Sequence, residues 1–345
     1  MKKSSITYDD VFTSFNLSVS TTLSQKGKTS YRKIKEFNEK REELLKELKT
    51  ILDKHEYITK DYVHFKLKEH GKVRDIYKLD YYPHRIVQNC LITQTQQCFM
   101  DRFIEETYAA IPTKGMHRAK EKVRGYLLKH PEDTKYCLKI DIKKYFPHVN
   151  HTILKSVVED IFSDKPLLEM WFEIIDSHDE GLPIGSYTSQ YLANIYLWRF
   201  DVFCKQNYKY YCRYMDDIVI LGASRDALLR ILRDIQWILK RDYACDIKDN
   251  WQIFSVAERG IDYVGYRIYP NCVLLRKSIL LKLIRTTRRI SKFVSKNGFM
   301  TDRMRSQMGS YFGWIKGCTP RVANLLFDRY FKQTYLRAGI TNISL

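Results

Sequence analysis

The chain has 345 residues, 44% of them hydrophobic and 29% charged, and carries a formal net charge of +19 at pH 7. That length and apolar share suit a folded chain of one large or two modest domains and exclude disorder. No apolar run approaches the roughly 18 residues of a membrane-crossing helix, and the start, Met1-Lys-Lys-Ser-Ser, is too polar for a secretory leader. A soluble, cytoplasmic protein with no membrane partner is expected. The eight cysteines include no Cys-x-x-Cys and the nine histidines no cluster, which points to reduced, packed thiols rather than a zinc site or a disulfide framework.

In chain order, residues 1–29 are rich in Ser, Thr and Lys and are expected to be loosely ordered. Over 31–52, apolar residues at helical spacing (Phe37, Leu44, Leu45, Leu48, Ile51, Leu52) predict one amphipathic helix. Residues 62–79 alternate as two strands about Gly71, placing Lys72 and Arg74 on one strand face. Helices are predicted over 83–104 and 116–129, a strand over 138–142, and a helix after Asn150. The Gly181-Leu-Pro-Ile-Gly-Ser186 turn leads into an apolar helix over 188–203. A hairpin with Tyr214-Met-Asp-Asp217 at its tip follows, then a helix over 225–241. Short strands at 251–256 and 261–268 stop at Pro270-Asn271, and beyond Leu275 the pattern is helical, with breaks near Gly298 and Gly317-Cys-Thr-Pro320. From Arg259 onward, seventeen Lys or Arg stand against three acids. Lys282, Arg285, Arg289, Lys292 and Lys296 fall on one helical stripe, a spacing suited to tracking phosphates and therefore to a nucleic-acid partner.

Tyr214-Met-Asp-Asp217 is the most informative motif. Its two adjacent carboxylates, set between β-formers at a hairpin tip, repel each other unless a cation neutralises them, and a hard divalent ion with oxygen ligands is the natural candidate. Asp141, at the end of another short apolar run, adds a third carboxylate. Three carboxylates on two strands suit a pair of metals for in-line phosphoryl transfer. A merely solvated Asp-Asp turn needs no apolar brace such as Ile218-Val-Ile-Leu221.

Six motifs occur in order: Gly71-Lys-Val-Arg74, His84-Arg-Ile-Val-Gln88, Asp141-Ile-Lys-Lys-Tyr-Phe146, Gly181-Leu-Pro-Ile-Gly-Ser-Tyr-Thr-Ser-Gln190 with Ala193-Asn194, Tyr214-Met-Asp-Asp217, and Tyr263-Val-Gly-Tyr266. With them the chain resembles a reverse transcriptase over about residues 60–330. Ile184-Gly185 and Ser189-Gln190, where most relatives carry Gln-Gly and Ser-Pro, resemble the enzymes of diversity-generating retroelements. Trp251-Gln252, Gly265-Tyr-Arg-Ile268, Leu274-Leu-Arg-Lys277 and Ser310-Tyr-Phe-Gly-Trp314 resemble that subgroup too. Departures from the family pattern are Asp75 after Arg74, Ile111 in place of Arg, and His84 in place of Asp.

The resemblance implies an α+β right-hand polymerase. Residues 1–60 would be an N-terminal tail and amphipathic helix, 61–135 fingers, 136–272 palm, and 273–345 a short, basic helical thumb. It implies RNA-directed DNA synthesis, error-prone at template adenines, from a template-repeat RNA. Primer or cDNA, deoxynucleoside triphosphates, a structured element RNA and a basic accessory protein would be the partners. Asp141, Asp216 and Asp217 are implied as catalytic, holding two Mg²⁺ ions together with the Ile142 carbonyl. Lys72, Arg74 and Lys114 would meet the triphosphate, and Phe146 would lie beneath the sugar. Ile184, Gly185 and Gln190 would surround the nucleotide, and the Lys282–Lys296 stripe would follow the nucleic acid. Two other readings compete. One is a retron-like or defence-associated reverse transcriptase, although retron enzymes carry Val-Thr-Gly where this chain has Tyr263-Val-Gly-Tyr266. The other is a catalytically dead RNA-binding protein on the same scaffold, which the three intact aspartates oppose.

Overall fold

The computed structural model describes residues 2–60, 62–69 and 71–341, without the side chains of Glu69 and Lys72. Helices and three separate antiparallel sheets make up the expected α+β class. The chain divides into two compact units, each discontinuous in sequence. The first takes Met1–Glu105, Ile142–Asn207 and Asp234–Lys248; the second takes Glu106–Asp141, Tyr208–Arg233 and Asp249–Leu345. No helix among the described residues is long and apolar enough to cross a membrane.

In the first unit, the N-terminal stretch is not loose. Helices Tyr8–Val11 and Ser14–Gln25 form there because Thr7 and Thr13 cap them, accepting from the backbone N–H groups of Asp10 and Asn16. Thr7 and Asp10 form a reciprocal capping box, and Val11, Phe12 and Leu17 are buried. The Cys90 thiol, on helix Ile86–Met100, donates to the Val11 carbonyl at 3.2 Å. The single helix expected over 31–52 is two, Arg32–Glu39 and Arg41–Asp53, broken at Lys40, whose φ of −120° and ψ of 24° leave the helical range. Likewise 188–203 holds two helices, Ser189–Tyr196 and Trp198–Asn207, with Leu197 at φ −102° and ψ 12° between them. Strands β1 (Val63–Glu69) and β2 (Lys72–Lys78) form the expected antiparallel hairpin about Gly71. A helix that the periodicity did not predict, Lys165–Asp176, is capped by Asp164 and buries Trp171.

In the second unit, β3 (Tyr136–Asp141), β4 (Tyr211–Tyr214), β5 (Asp217–Gly222) and β6 (Gln252–Ser255) form one sheet in the order β4-β5-β3-β6, with every pairing antiparallel. Ile218 to Leu221 are buried without alternation, the pattern of a strand covered on both faces. The segment 261–268 is itself a hairpin: β7 (Ile261–Tyr263) and β8 (Tyr266–Ile268) close around Val264 and Gly265, and β9 (Val273–Leu275) pairs with β8. Val264 (φ 43°) and Gly265 (φ 89°) supply the two left-handed residues of a two-residue hairpin turn. A Cβ on Gly265 would lie 2.6 Å from the Trp314 ring, so glycine is what lets helix Asp302–Lys316 close over this turn. Helix Lys277–Asn297 buries Leu283, Thr287, Ile290 and Val294, and ends at the left-handed Gly298. All eight cysteines are free thiols, and six are buried, as packed thiols should be.

Candidate active site

Asp141 closes β3 and stands in register opposite Asp217, the first residue of β5. Residues paired this way have Cα atoms about 4.5–5.5 Å apart. Tyr214 pairs with Asp217 across β4 and β5, so Met215 and Asp216 alone make the turn. Met215 takes φ 58°, left-handed, which a tight hairpin turn requires and a residue with a Cβ rarely adopts. All three carboxylates are half-buried.

Two cations hold this arrangement. Arg213 is fully buried and donates from Nη1 to the Met215 carbonyl at 2.9 Å. Its backbone also joins residues 106–108 to the edge of the sheet: Arg213 N donates to Glu106 O (3.0 Å) and Tyr108 N to Arg213 O (3.1 Å). Glu106, buried, pairs with Lys122 at 3.0 Å. Lys139 lies two residues before Asp141, hence on the same face of β3. It forms an ion pair with Asp217, and its ammonium sits 5.0 Å from the centre of the Tyr263 ring. Burial pushes the Asp217 carboxyl above the usual carboxylate range; Lys139 opposes that rise and Asp141 adds to it. No motif singles out Arg213 or Lys139. The signal that finds both is a cation inside an otherwise apolar strand.

For the Mg²⁺ ions implied by the resemblance, the donors fit in kind: hard carboxylate oxygens at the ends of strands. Among the described residues no three His, Cys, Asp or Glu side chains gather as a metal-holding group, and Lys139 already engages Asp217. Mg²⁺ asks for no such cage, being held by one or two carboxylates with waters and substrate phosphates. Asp141 and Asp216 suit that role, with the Asp217–Lys139 pair beside them. Ile142 follows Asp141 and opens the second segment of the other unit, where it bridges to Ile247.

In the first unit the Gly181–Gln190 motif is tied to Phe146 and to strand β2. Leu182 N donates to Phe146 O at 2.8 Å, and Tyr77 N, on β2, donates to Ile184 O at 2.8 Å. Gly185 has φ 124°, and a Cβ there would lie 2.6 Å from Tyr77 O, so only glycine permits this approach to β2. Phe146 opens the short turn Phe146–His148 and is half-buried rather than core; Ile184 is half-buried and Gln190 exposed. Arg74 is exposed on β2; the side chain of Lys72, on the same strand, lies outside the described residues. Lys114 belongs to the second unit. Its ammonium donates to Thr107 O at 3.1 Å and sits 5.5 Å from the centre of the Tyr108 ring, so it shares no unit with Lys72 and Arg74. On helix Lys277–Asn297, Lys282, Arg285, Arg289, Lys292 and Lys296 are all exposed, opposite the buried face.

A family model matches the chain, and relatives and a solved structure resemble it. The model for "Reverse transcriptase (RNA-dependent DNA polymerase)" matches residues 66–268, more than half of the chain. The chain is similar to the Retron Ec73 reverse transcriptase of Escherichia coli, 25% identical over 231 residues that cover 61% of this chain and 71% of that protein. It is also similar to the E. coli protein YkfC, 23% identical over 211 residues covering 48% and 55%. Among solved structures, apo telomerase from Candida tropicalis matches in fold with a TM-score of 0.50 at 12% identity, over 68% of this chain and 52% of that one. The chain thus spans about half the length of that structure.

Proposed function

Because the chain belongs to the reverse transcriptase family and is on that ground an RNA-directed DNA polymerase, we propose that it copies a template-repeat RNA into mutated cDNA within a diversity-generating retroelement. The observation that carries the chemistry is Asp141 set opposite Asp217 across β3 and β5, with Asp216 in the two-residue turn. Asp141 and Asp216 would hold two Mg²⁺ ions, which when bound activate the primer 3′-hydroxyl and stabilise the departing pyrophosphate. Lys139 balances the charge of Asp217, so that the cluster does not repel the incoming triphosphate, and Arg213 fixes the turn that presents Asp216. Phe146 would exclude the ribose 2′-hydroxyl, and Arg74 would meet the triphosphate with its fork of donors. Ile184 offers bulk without a directional hydrogen bond, which leaves mismatched poses less penalised. The basic stripe of helix Lys277–Asn297 would follow the template–primer backbone.

A second reading, a retron-type enzyme, is favoured by the likeness to the Retron Ec73 reverse transcriptase. Primer extension on one defined RNA template, followed by sequencing of the cDNA, separates the two. Errors concentrated at template adenines are expected. Faithful copying at adenine moves the chain to the retron type, and no extension at all removes both readings.

A further inference from the structure

The Gly181–Gln190 loop of the first unit is pinned at its backbone carbonyls. Ile184 O accepts from Tyr77 N at 2.8 Å, and Pro183 O accepts from the Ser189 hydroxyl at 2.7 Å. Gly181 O is held by a side chain from outside the loop: His151 Nε2 lies 2.7 Å away. A carbonyl oxygen only accepts, so this ring nitrogen carries the donated proton. None of the six sequence motifs contains His151.

Local sequence aims the ring. Asn150 caps helix His151–Glu159, its side chain accepting from Ile153 N at 3.1 Å, so His151 is the first helical residue. Lys155 stands one turn later on the same face. His151 and Lys155 take opposite oxygens of Asp176, the last residue of helix Lys165–Asp176. His151 Nδ1 lies 3.2 Å from Oδ1, and the Lys155 ammonium pairs with Oδ2. A carboxylate engaged at both oxygens cannot swing away, and its contact with one ring nitrogen directs the other at Gly181. The His151 side chain is 20% exposed and that of Asp176 48%, so this tie lies at the edge of the core and can be altered without repacking it.

Gly181 is where a small displacement matters. Its φ is 58°, and a Cβ there would press into Phe146 O and lie 2.5 Å from Pro147 O, so the loop already runs against the Phe146–His148 turn as closely as glycine allows. The next residue, Leu182, donates its N–H to Phe146 O, and Ile184 reaches β2 two residues further on. A tilt of the Gly181 peptide therefore moves Phe146 and Ile184 relative to each other.

We propose that His151 is a positioning residue for nucleotide selection: by holding the Gly181 carbonyl it sets the spacing of Phe146 and Ile184, and so the fit of the incoming sugar and base. The assignment rests on the reading of Phe146 and Ile184 as walls of the nucleotide pocket. His151 touches no nucleotide in this role; its donor acts through the loop.

The test uses the full chain on a defined RNA template with a DNA primer, measuring kcat and KM for single additions of a deoxynucleotide and of the matching ribonucleotide. His151→Leu removes the donor. It is expected to raise KM for the deoxynucleotide about tenfold, with a smaller change in kcat, and to narrow the preference for deoxy- over ribonucleotide about tenfold. His151→Gln, which keeps an amide N–H for the same carbonyl, is expected to restore most of both. Asp176→Asn frees the ring without removing it and is expected to move KM and sugar preference in the same direction, less far. Unchanged KM and sugar preference in His151→Leu overturn the proposal. A lower melting temperature with unchanged sugar preference overturns it too, since His151 would then be a structural tie alone. So does a His151→Gln variant no better than His151→Leu. If His151→Leu does not fold, Asp176→Asn decides, and wild-type KM and preference there overturn the proposal. Phe146→Ala reports on the underlying reading by itself. An unchanged sugar preference in that variant removes Phe146 from the pocket and the proposal with it. A changed preference there, beside an unchanged one in His151→Leu, overturns the role of His151 alone.

Discussion

The second unit contains two hairpin turns of the same length, and they are stabilised in opposite ways. Both lie between tyrosines or their strand partners, Tyr214 with Asp217 and Tyr263 with Tyr266, and both put a residue with a Cβ into the left-handed region, Met215 at φ 58° and Val264 at φ 43°. At Val264-Gly265 the strained backbone is covered: Trp314 packs on Gly265, and the Tyr266 hydroxyl donates to Trp314 O at 3.1 Å. The Met215-Asp216 turn is held differently. Buried Arg213 braces it from below, and the carboxylate in the second position stays half-exposed. Packing stabilises a turn and closes it; a polar brace stabilises a turn and leaves it open. Only the second kind can present a metal ligand.

Breaking the open turn should have the largest effect. Asp216→Asn removes the charge of the proposed metal ligand, a contribution of several kcal/mol, so primer extension should fall at least about a thousandfold with an unchanged melting temperature. Extension near the wild-type rate would remove Asp216 from the chemistry. Arg213→Leu strips the charged donor from the Met215 carbonyl and should lower stability by about 2–3 kcal/mol, measured by urea unfolding. No loss would mean that the turn holds itself. In the covered turn, Gly265→Ala drives a Cβ toward Trp314 and should cost about 1–2 kcal/mol; the folded fraction should still extend primers, because this turn carries no chemistry. Lys139→Met gives the smallest effect, and it sharpens the contrast. The Asp217 carboxyl is raised above its ordinary value of 3.8, first by burial. The folded chain therefore binds that proton more tightly than the unfolded chain does. Stability from this group is full below the ordinary value and falls as pH rises through the raised one. Removing Lys139 takes away the main opposing charge and raises the carboxyl further. The acid limb of the pH–rate profile should move to higher pH; an unmoved limb would mean that Asp217 does not titrate there.

The open turn is the easier of the two to read in sequence. Adjacent carboxylates between β-formers announce a hairpin tip, and the i, i+3, i+4 spacing of Lys282 to Lys296 marks the exposed face of its helix. The Tyr263-Val-Gly-Tyr266 turn is legible only as part of a strand, since the residue that explains Gly265 is Trp314, nearly fifty positions later. Arg213 and Lys139 escape for a related reason: Lys139 looks like an ordinary strand cation until Asp217 is placed across the sheet, and Arg213 until the turn brings the Met215 carbonyl to it. Over residues 1–29 composition misleads, because their order comes from Thr caps and from Val11, Phe12 and Leu17, a small apolar set in a polar stretch. A cavity of the first unit lined by Lys28, Tyr31 and Gln88 belongs to this class as well, since no motif spacing connects Lys28 or Tyr31 with Gln88.

The hydrogen bond from the Cys90 thiol to the Val11 carbonyl gives this chain a built-in clock. While the N-terminal helices stay docked, the thiol is sealed, and burial pushes it up to about 12, far from the reactive thiolate. Alkylation at that one sulfur can then proceed only as fast as the first helices lift away. Its rate under a pulse of reagent, compared with that of the less buried Cys98, counts how often the amino-terminal end breathes.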